Sequence, residues 1–454
     1  MRFTALAFLA VLVALLTTVT AAAVTILVPD QQPTIQQGLD AASPGDTVLV
    51  APGTYRGSLN RDLDFGGTAI TLASSAGADV TTVDCENTGR GFFFHSSEDT
   101  TAVVEKLTIA NAVADSGGGV YCVSGSGPLI RDCTFSYCNG QDKGGGICCD
   151  ASSPVVRGCR FEYNIAGDVG RADGRGAAMS CLSGSSPVVA DCVFESNAAL
   201  YSGGAVYILG SSPQFLRCDF ISNTLGPYGM GGAIAMHDAH WTQLYECDFI
   251  GNGTMDCVGG GVHVSSSDMS AFGCHFENNI SGSSGGMHFT GSSGPSVTCC
   301  TFVGNVGHWS ASGAVHCYSG AWPTLYGCTI VGNSKHQVWC DEASSTIEYC
   351  IIAFSPDGKA INCETGSEAP NINHCFIYGN AGGDSLCGGN CYENEFSDPC
   401  FCDFEAGDVQ LCADSPCLPT VTWPSLVGAL GQGCPACGSA VERTTWGCIK
   451  AMYR

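Results

Sequence analysis

Positive charge is scarce in this chain. Its 17 lysines and arginines face 42 aspartates and glutamates, for a formal net charge of −25. Such a surface repels nucleic acid and anionic lipid, and no Lys/Arg cluster interrupts it. Helix punctuation is scarce as well, which argues against an α-rich fold. Past the N-terminus no apolar run is long enough to span a bilayer. What is abundant is glycine, at 61 residues, and cysteine, at 30. That balance suits many short strands joined by turns. With 45% hydrophobic residues, the 454-residue chain can bury a long core.

The first residues have the pattern of a secretory signal over 1–23. Arg2 is the positive end, Ala5 to Leu16 the apolar run, and Ala21, Ala22 and Ala23 offer a cleavage site. Export implies an oxidising compartment, where so many cysteines point to disulfides rather than to metal.

A fixed pattern recurs through the middle of the chain: Cys, any residue, Phe or Ile, then Asn three residues on. It is seen at Cys159/Phe161/Asn164, Cys192/Phe194/Asn197, Cys218/Phe220/Asn223, Cys247/Phe249/Asn252, Cys274/Phe276/Asn279, Cys300/Phe302/Asn305 and Cys328/Ile330/Asn333. Partial copies stand at Cys133/Phe135, Cys350/Ile352 and Cys375/Ile377/Asn380. A second pattern precedes it in each unit: two small residues, often Gly-Gly, then a short apolar strand, as from Gly144 to Cys149 and Gly259 to Val264. A repeat of this length is the mark of a solenoid. Residues two apart share one face of a strand, so Cys and Phe point the same way and stack like on like. No coil buries its apolar face alone; its neighbours do so. The Asn column reads as structural, each amide bonding the backbone and its stacked copies. The expectation is an all-β, single-stranded parallel β-helix of ten or more coils over residues 24–400. A Cys-rich terminal coil and cap follows over 401–440, and a tail over 441–454 is read as a sorting tag.

These repeats resemble those of the chlamydial polymorphic outer-membrane proteins over about Gly117 to Asn333, which implies a β-helical passenger used in adhesion. The flanks resemble secreted right-handed β-helix, or pectin-lyase-like, proteins. The resemblance rests on Val28-Pro-Asp-Gln-Gln-Pro-Thr-Ile-Gln-Gln-Gly38, Pro44-Gly-Asp-Thr-Val48, Ala51-Pro-Gly-Thr-Tyr55, Asp398-Pro-Cys-Phe401 and Gly407-Asp-Val-Gln-Leu411. It implies a right-handed helix of coils, a capping helix over Thr34 to Ala42, a first strand over Thr47 to Val50, and last coils near 400–429. This fold carries lyases, hydrolases, epimerases and adhesins, so the resemblance fixes fold more than function. The Asn-Thr-Asp, Asp-Asp and Gly-His-Gly signatures of polygalacturonases do not occur.

Ten cysteines fall in the Cys-x-Phe column, and Cys122, Cys149, Cys181, Cys317, Cys340 and Cys363 in a neighbouring inward column. Exchange with Ile208, Met236, Val264 and Phe289 marks these sulfurs as small hydrophobes, with some ladder bridging open. The dense tail set from Cys387 to Cys448, including Cys434-x-x-Cys437, reads as disulfide stapling of the end cap in preference to zinc.

Between the inward residues of each Gly-Gly strand lies one outward position. Down the coils it reads Tyr121, Cys148, Ser180, Tyr207, Ala235, His263, His288, His316 and Trp339. Imidazoles about 4.8 Å apart on one solvated face suit a metal or a carbohydrate, with Tyr207 and Trp339 extending the site. A second outward column holds Asp219, Asp248 and His275. There Asp219 and Asp248 could share Ca²⁺ with Glu195 or Glu277, as acidic groups do in pectate lyases. Arg217 is a nearby base whose side chain should point inward or into a bend. No catalytic set is assigned and no cofactor beyond that calcium. The favoured reading is an exported, monomeric surface protein that binds a glycan or another surface without cleaving it. The alternative is a polysaccharide lyase or hydrolase.

Overall fold

The computed structural model describes residues 22–167, 174–309, 312–364, 369–387, 389–420 and 425–435. The segment read as a signal, up to residue 21, and the tail 441–454 lie outside the described residues. Each coil repeats one path. A leading strand such as Val155–Arg157 bends into Arg160–Glu162, then a two-residue strand Ile165–Ala166, and after the small-residue corner Met179–Leu182. Stacked in parallel, these strands form sheets of 15, 13 and 11 strands, here named the leading, Phe and Gly-Gly sheets. The solenoid therefore has about fifteen coils, more than the motifs display, because the first coils run without the Cys-x-Phe signature.

Helix Ile35–Ala41 closes the N-terminal end, with Thr34 as its N-cap. Ile35 and Leu39 are buried with Val28 and Val48 in the main core. Thr47–Val50 is the second strand, not the first: Thr25–Val28 pairs with it in parallel, residue for residue.

The core is built from repeated columns. Seven rings, from Phe135 to Phe302, stack with centroids 4.6 to 4.9 Å apart and planes within 8° of parallel. The small corner residues make room for them. A Cβ at Gly146 would come within 2.8 Å of the Phe161 ring and 2.6 Å of the Ala178 carbonyl oxygen. Beside the rings runs the buried Asn ladder, in which every polar atom is used. Asn197 Nδ2 donates to the Phe161 carbonyl and to Asn223 Oδ1, both at 3.0 Å. Its Oδ1 accepts from the Asn164 backbone at 3.1 Å and side chain at 3.0 Å. The ladder cysteines remain thiols. Each sulfur turns to carbonyls, as Cys218 does to Val189 and Leu216, both at 3.5 Å. Burial holds the Cys159 thiol well above its ordinary range.

Residues 401–434 do not add a coil. Phe401–Asp403 turns back antiparallel on Asp408–Cys412, and Gln432–Cys434 joins as a third strand. This flap lies on the outside of the Phe sheet, where Phe401, Val409, Leu411 and Val427 cluster with Val331, Ile351, Ala353 and Phe376. The Gly428 amide donates to the Tyr349 carbonyl at 2.7 Å, and the Ala429 amide to Thr329 Oγ1 at 2.9 Å. The cause is local. In these coils the outward positions of the Phe sheet turn apolar and need cover, whereas earlier coils carry Asp219, Asp248 and His275 there. Disulfides staple this end: Cys363–Cys387 at the last Gly-Gly strand and Cys402–Cys434 within the flap.

Candidate functional site

Two outward columns carry the residues with chemistry. In the Gly-Gly sheet, Val262 and Val264 enter the core and His263 faces the other way. The register brings Tyr207, Ala235, His263, His288, His316 and Trp339 onto six successive coils. Ring centroids lie 5.2 Å apart for His263–His288, 4.8 Å for His288–His316 and 4.7 Å for His316–Trp339.

The expected solvated face is not what forms. His263, His288 and His316 are only 3%, 5% and 6% exposed, and Tyr207 4%. Each ring is covered above and below by its stacked neighbours. On the flank, His237 packs on Tyr207 and His263, and Tyr318 on His288 and His316. Stacking and flanking rings thus make a second, polar layer outside the core.

Its hydrogen bonding is incomplete. Ser283 Oγ lies 3.3 Å from His288 Nδ1 and 3.0 Å from His316 Nδ1. Both nitrogens of His263, Nε2 of His316 and the indole N–H of Trp339 are buried without a partner. At the far end the Arg175 guanidinium sits 5.3 Å from the rings of Tyr201 and Tyr207. Burial pushes His263 down to about 3 and His316 down to about 4, and holds His288 well below its usual range. The imidazoles are therefore neutral at pH 7.

In the Phe sheet, Asp219, Asp248 and His275 stack in register. Desolvation raises both carboxyls; the Asp248 charge adds to the effect on Asp219, while His275 opposes it on Asp248. The proposed calcium helpers are otherwise engaged. Glu195 pairs with Arg160, and Glu277 lies 3.3 Å from His275 Nε2. Among the described residues, the one group of three side chains with ligand atoms within 4.8 Å of one another is Cys402, Cys412 and Cys434. Two of those sulfurs form a disulfide. Asp219 and Asp248 have no third carboxylate, imidazole or thiol among the described residues within that distance of both. Arg217 does occupy a bend, at φ 52°. Its side chain turns outward to Asp191, at 2.7 and 3.0 Å, away from the Asp219 face.

One feature went unread in the sequence: an open depression of about 580 Å³ on the early coils, lined by Ser74, Lys106, Asp132 and Arg160 among others. Its walls come from four successive coils, so only the fold assembles it.

The family described as right handed beta helix region matches residues 68–249 and 232–399. Among solved structures, the chain is similar to the A-module of the Azotobacter vinelandii mannuronan C-5 epimerase AlgE6, at 14% identity and a TM-score of 0.40, covering 80% of this chain and 93% of that one. It is similar to the pectate lyase Pel9A at 10% identity and a TM-score of 0.34, over 88% and 91% of the two chains. A mannuronic acid specific polysaccharide family 6 lyase from human gut microbiota matches at 11% identity and a TM-score of 0.29, over 85% and 93%. No curated protein matches significantly.

Proposed function

The chain belongs to the right-handed β-helix family, and from that premise we propose that it is an exported, non-catalytic, adhesin-like surface protein that binds a glycan along its Gly-Gly sheet. The observation that carries this reading is the run of buried ring nitrogens without partners on His263, His316 and Trp339. Buried polar groups are rarely left unpaired, and each unpaired one costs about 1–3 kcal/mol. Sugar hydroxyls both donate and accept, so they complement neutral imidazoles and an indole N–H. The ring faces of the same column suit the apolar faces of a sugar. Tyr318, 42% exposed, covers His288 and His316 and must swing aside to admit a ligand.

The test is a glycan array together with a polysaccharide-depolymerisation screen on the oxidised mature protein, with and without Ca²⁺. Binding without cleavage, weakened in His316→Ala and Trp339→Ala, is the expected result. Calcium-dependent release of unsaturated sugars overturns it. That outcome would favour the second reading, a polysaccharide lyase, supported by the raised carboxyls of Asp219 and Asp248 beside His275. Export itself predicts a mature N-terminus near Ala23, read by N-terminal sequencing.

A further inference from the structure

As an extension of that glycan-binding reading, we propose that the outer face of the leading sheet is a separate binding surface for an uncharged polysaccharide strand lying along the helix axis. Each leading strand sends its central residue into the core and its first and third residues outward. From the strand Gln214–Leu216 to the strand Thr324–Tyr326 the first position reads Gln214, Gln243, Ser270, Ser296 and Thr324, in strict register. This is a rail of amides and hydroxyls. The third position over the same coils reads Leu216, Tyr245, Phe272, Thr298 and Tyr326, a rail of rings and short apolar groups.

The rings are presented to solvent. Tyr245, Phe272 and Tyr326 are 39%, 42% and 40% exposed, and Tyr245 and Phe272 stack at 5.4 Å with planes 10° apart. Trp241 and Trp322 are exposed in turns just before the first and last of these ring-bearing strands. Single exposed rings are ordinary. Tyr245 and Phe272, set in register on neighbouring strands, instead form a short apolar strip of fixed spacing.

The chemistry of the two rails selects that occupant. Positions two apart on a strand lie about 7 Å apart, and coils about 4.8 Å apart, so the ring-bearing strip is about 14 Å long and two residues wide. On these spacings it covers about 100 Å², well below the ~800 Å² per partner of a stable protein interface. A sugar chain fits such a strip. Its apolar faces lie on rings, and its equatorial hydroxyls reach a parallel row of amides and hydroxyls. Neither rail carries a charge from Gln214 to Tyr326. With a net charge of −25 on the whole chain, an uncharged glycan is favoured over a polyuronate. The parallel ladders fix the spacing in advance, so little ordering is needed on binding.

Affinity electrophoresis of the full mature protein in gels containing hydroxyethylcellulose or glucomannan, with polygalacturonate as the anionic probe, tests this assignment. Wild type is expected to be retarded by a neutral probe. Tyr245→Ala/Phe272→Ala should weaken that retention about tenfold or more, with the melting temperature preserved because both rings are exposed. Retention unchanged in this variant, preference for polygalacturonate, or no retention by any probe overturns the proposal. Retention lost in His316→Ala but kept in Tyr245→Ala/Phe272→Ala overturns it while leaving the Gly-Gly-face reading standing. The reverse pattern upholds this surface and sinks the other. A dimer in light scattering that Tyr245→Ala/Phe272→Ala dissolves assigns the strip to a second copy and also overturns the proposal.

Discussion

Two polar columns run through the same coils with opposite outcomes. The Asn ladder from Asn164 to Asn333 is wholly buried, and each amide meets its neighbours with both donor and acceptor. The imidazole column from His263 to His316 is nearly as buried, yet ring nitrogens on it stay unpaired. A carboxamide offers both polar ends along the stacking axis, so identical copies satisfy one another. Imidazoles packed face to face, as His263 on His288, or edge to face, as His288 on His316, meet through ring contacts rather than through paired donors and acceptors. Repetition therefore stabilises the first column and leaves the second waiting for something outside the repeat.

Breaking the first column should have the largest effect. Asn252→Ala removes the acceptor used by the Asn223 amides and the donors used by the Phe220 carbonyl and Asn279 Oδ1. A loss of about 4 kcal/mol in urea-unfolding stability is expected. Acid should strain the second column almost as strongly. His263 and His316 titrate at about 3 and about 4 when folded, against ~6.5 when unfolded. Between those values the unfolded chain holds more protons, so their stabilisation is present above pH ~6.5 and is lost as pH falls toward 4. Thermal scans from pH 7 to 4 should show a falling melting temperature, with a shallower fall in His263→Leu. Removing Cys363–Cys387, which closes a loop with separation 24, should cost about 2–4 kcal/mol. Urea unfolding of Cys363→Ser with Cys387→Ser measures it, and leaves the Asn and His columns untouched as an internal control. The smallest effect, and of opposite sign, is expected for His263→Leu at pH 7. Since neither ring nitrogen has a partner, replacing it should be neutral or stabilise by about 1 kcal/mol. A loss of several kcal/mol there would erase the contrast between the columns.

The Cys, Phe and Asn columns were legible because each is one residue type at a fixed place in a repeat. The Gly-Gly corners were legible for the same reason. Burial of the His column was not, since it depends on His237 and Tyr318 reaching over from the next outward position. The position of the flap against the Phe sheet was not legible, because its strands look like further coils. The apolar outward residues Val331, Ile351 and Phe376 that receive it are a signal visible only once strand direction is known. The rails of the leading sheet stayed unread because Gln, Ser, Thr and Tyr are unremarkable singly and gain meaning only in register.

The sequence by itself determined the parallel coil, its inward faces and its structural ladders, because stacking repeats local choices and needs no distant partner. The tertiary structure alone decided which outward columns are covered and which are open. That depends on how flanking side chains and a segment some 100 residues further along the chain fold over a surface that the repeat leaves bare.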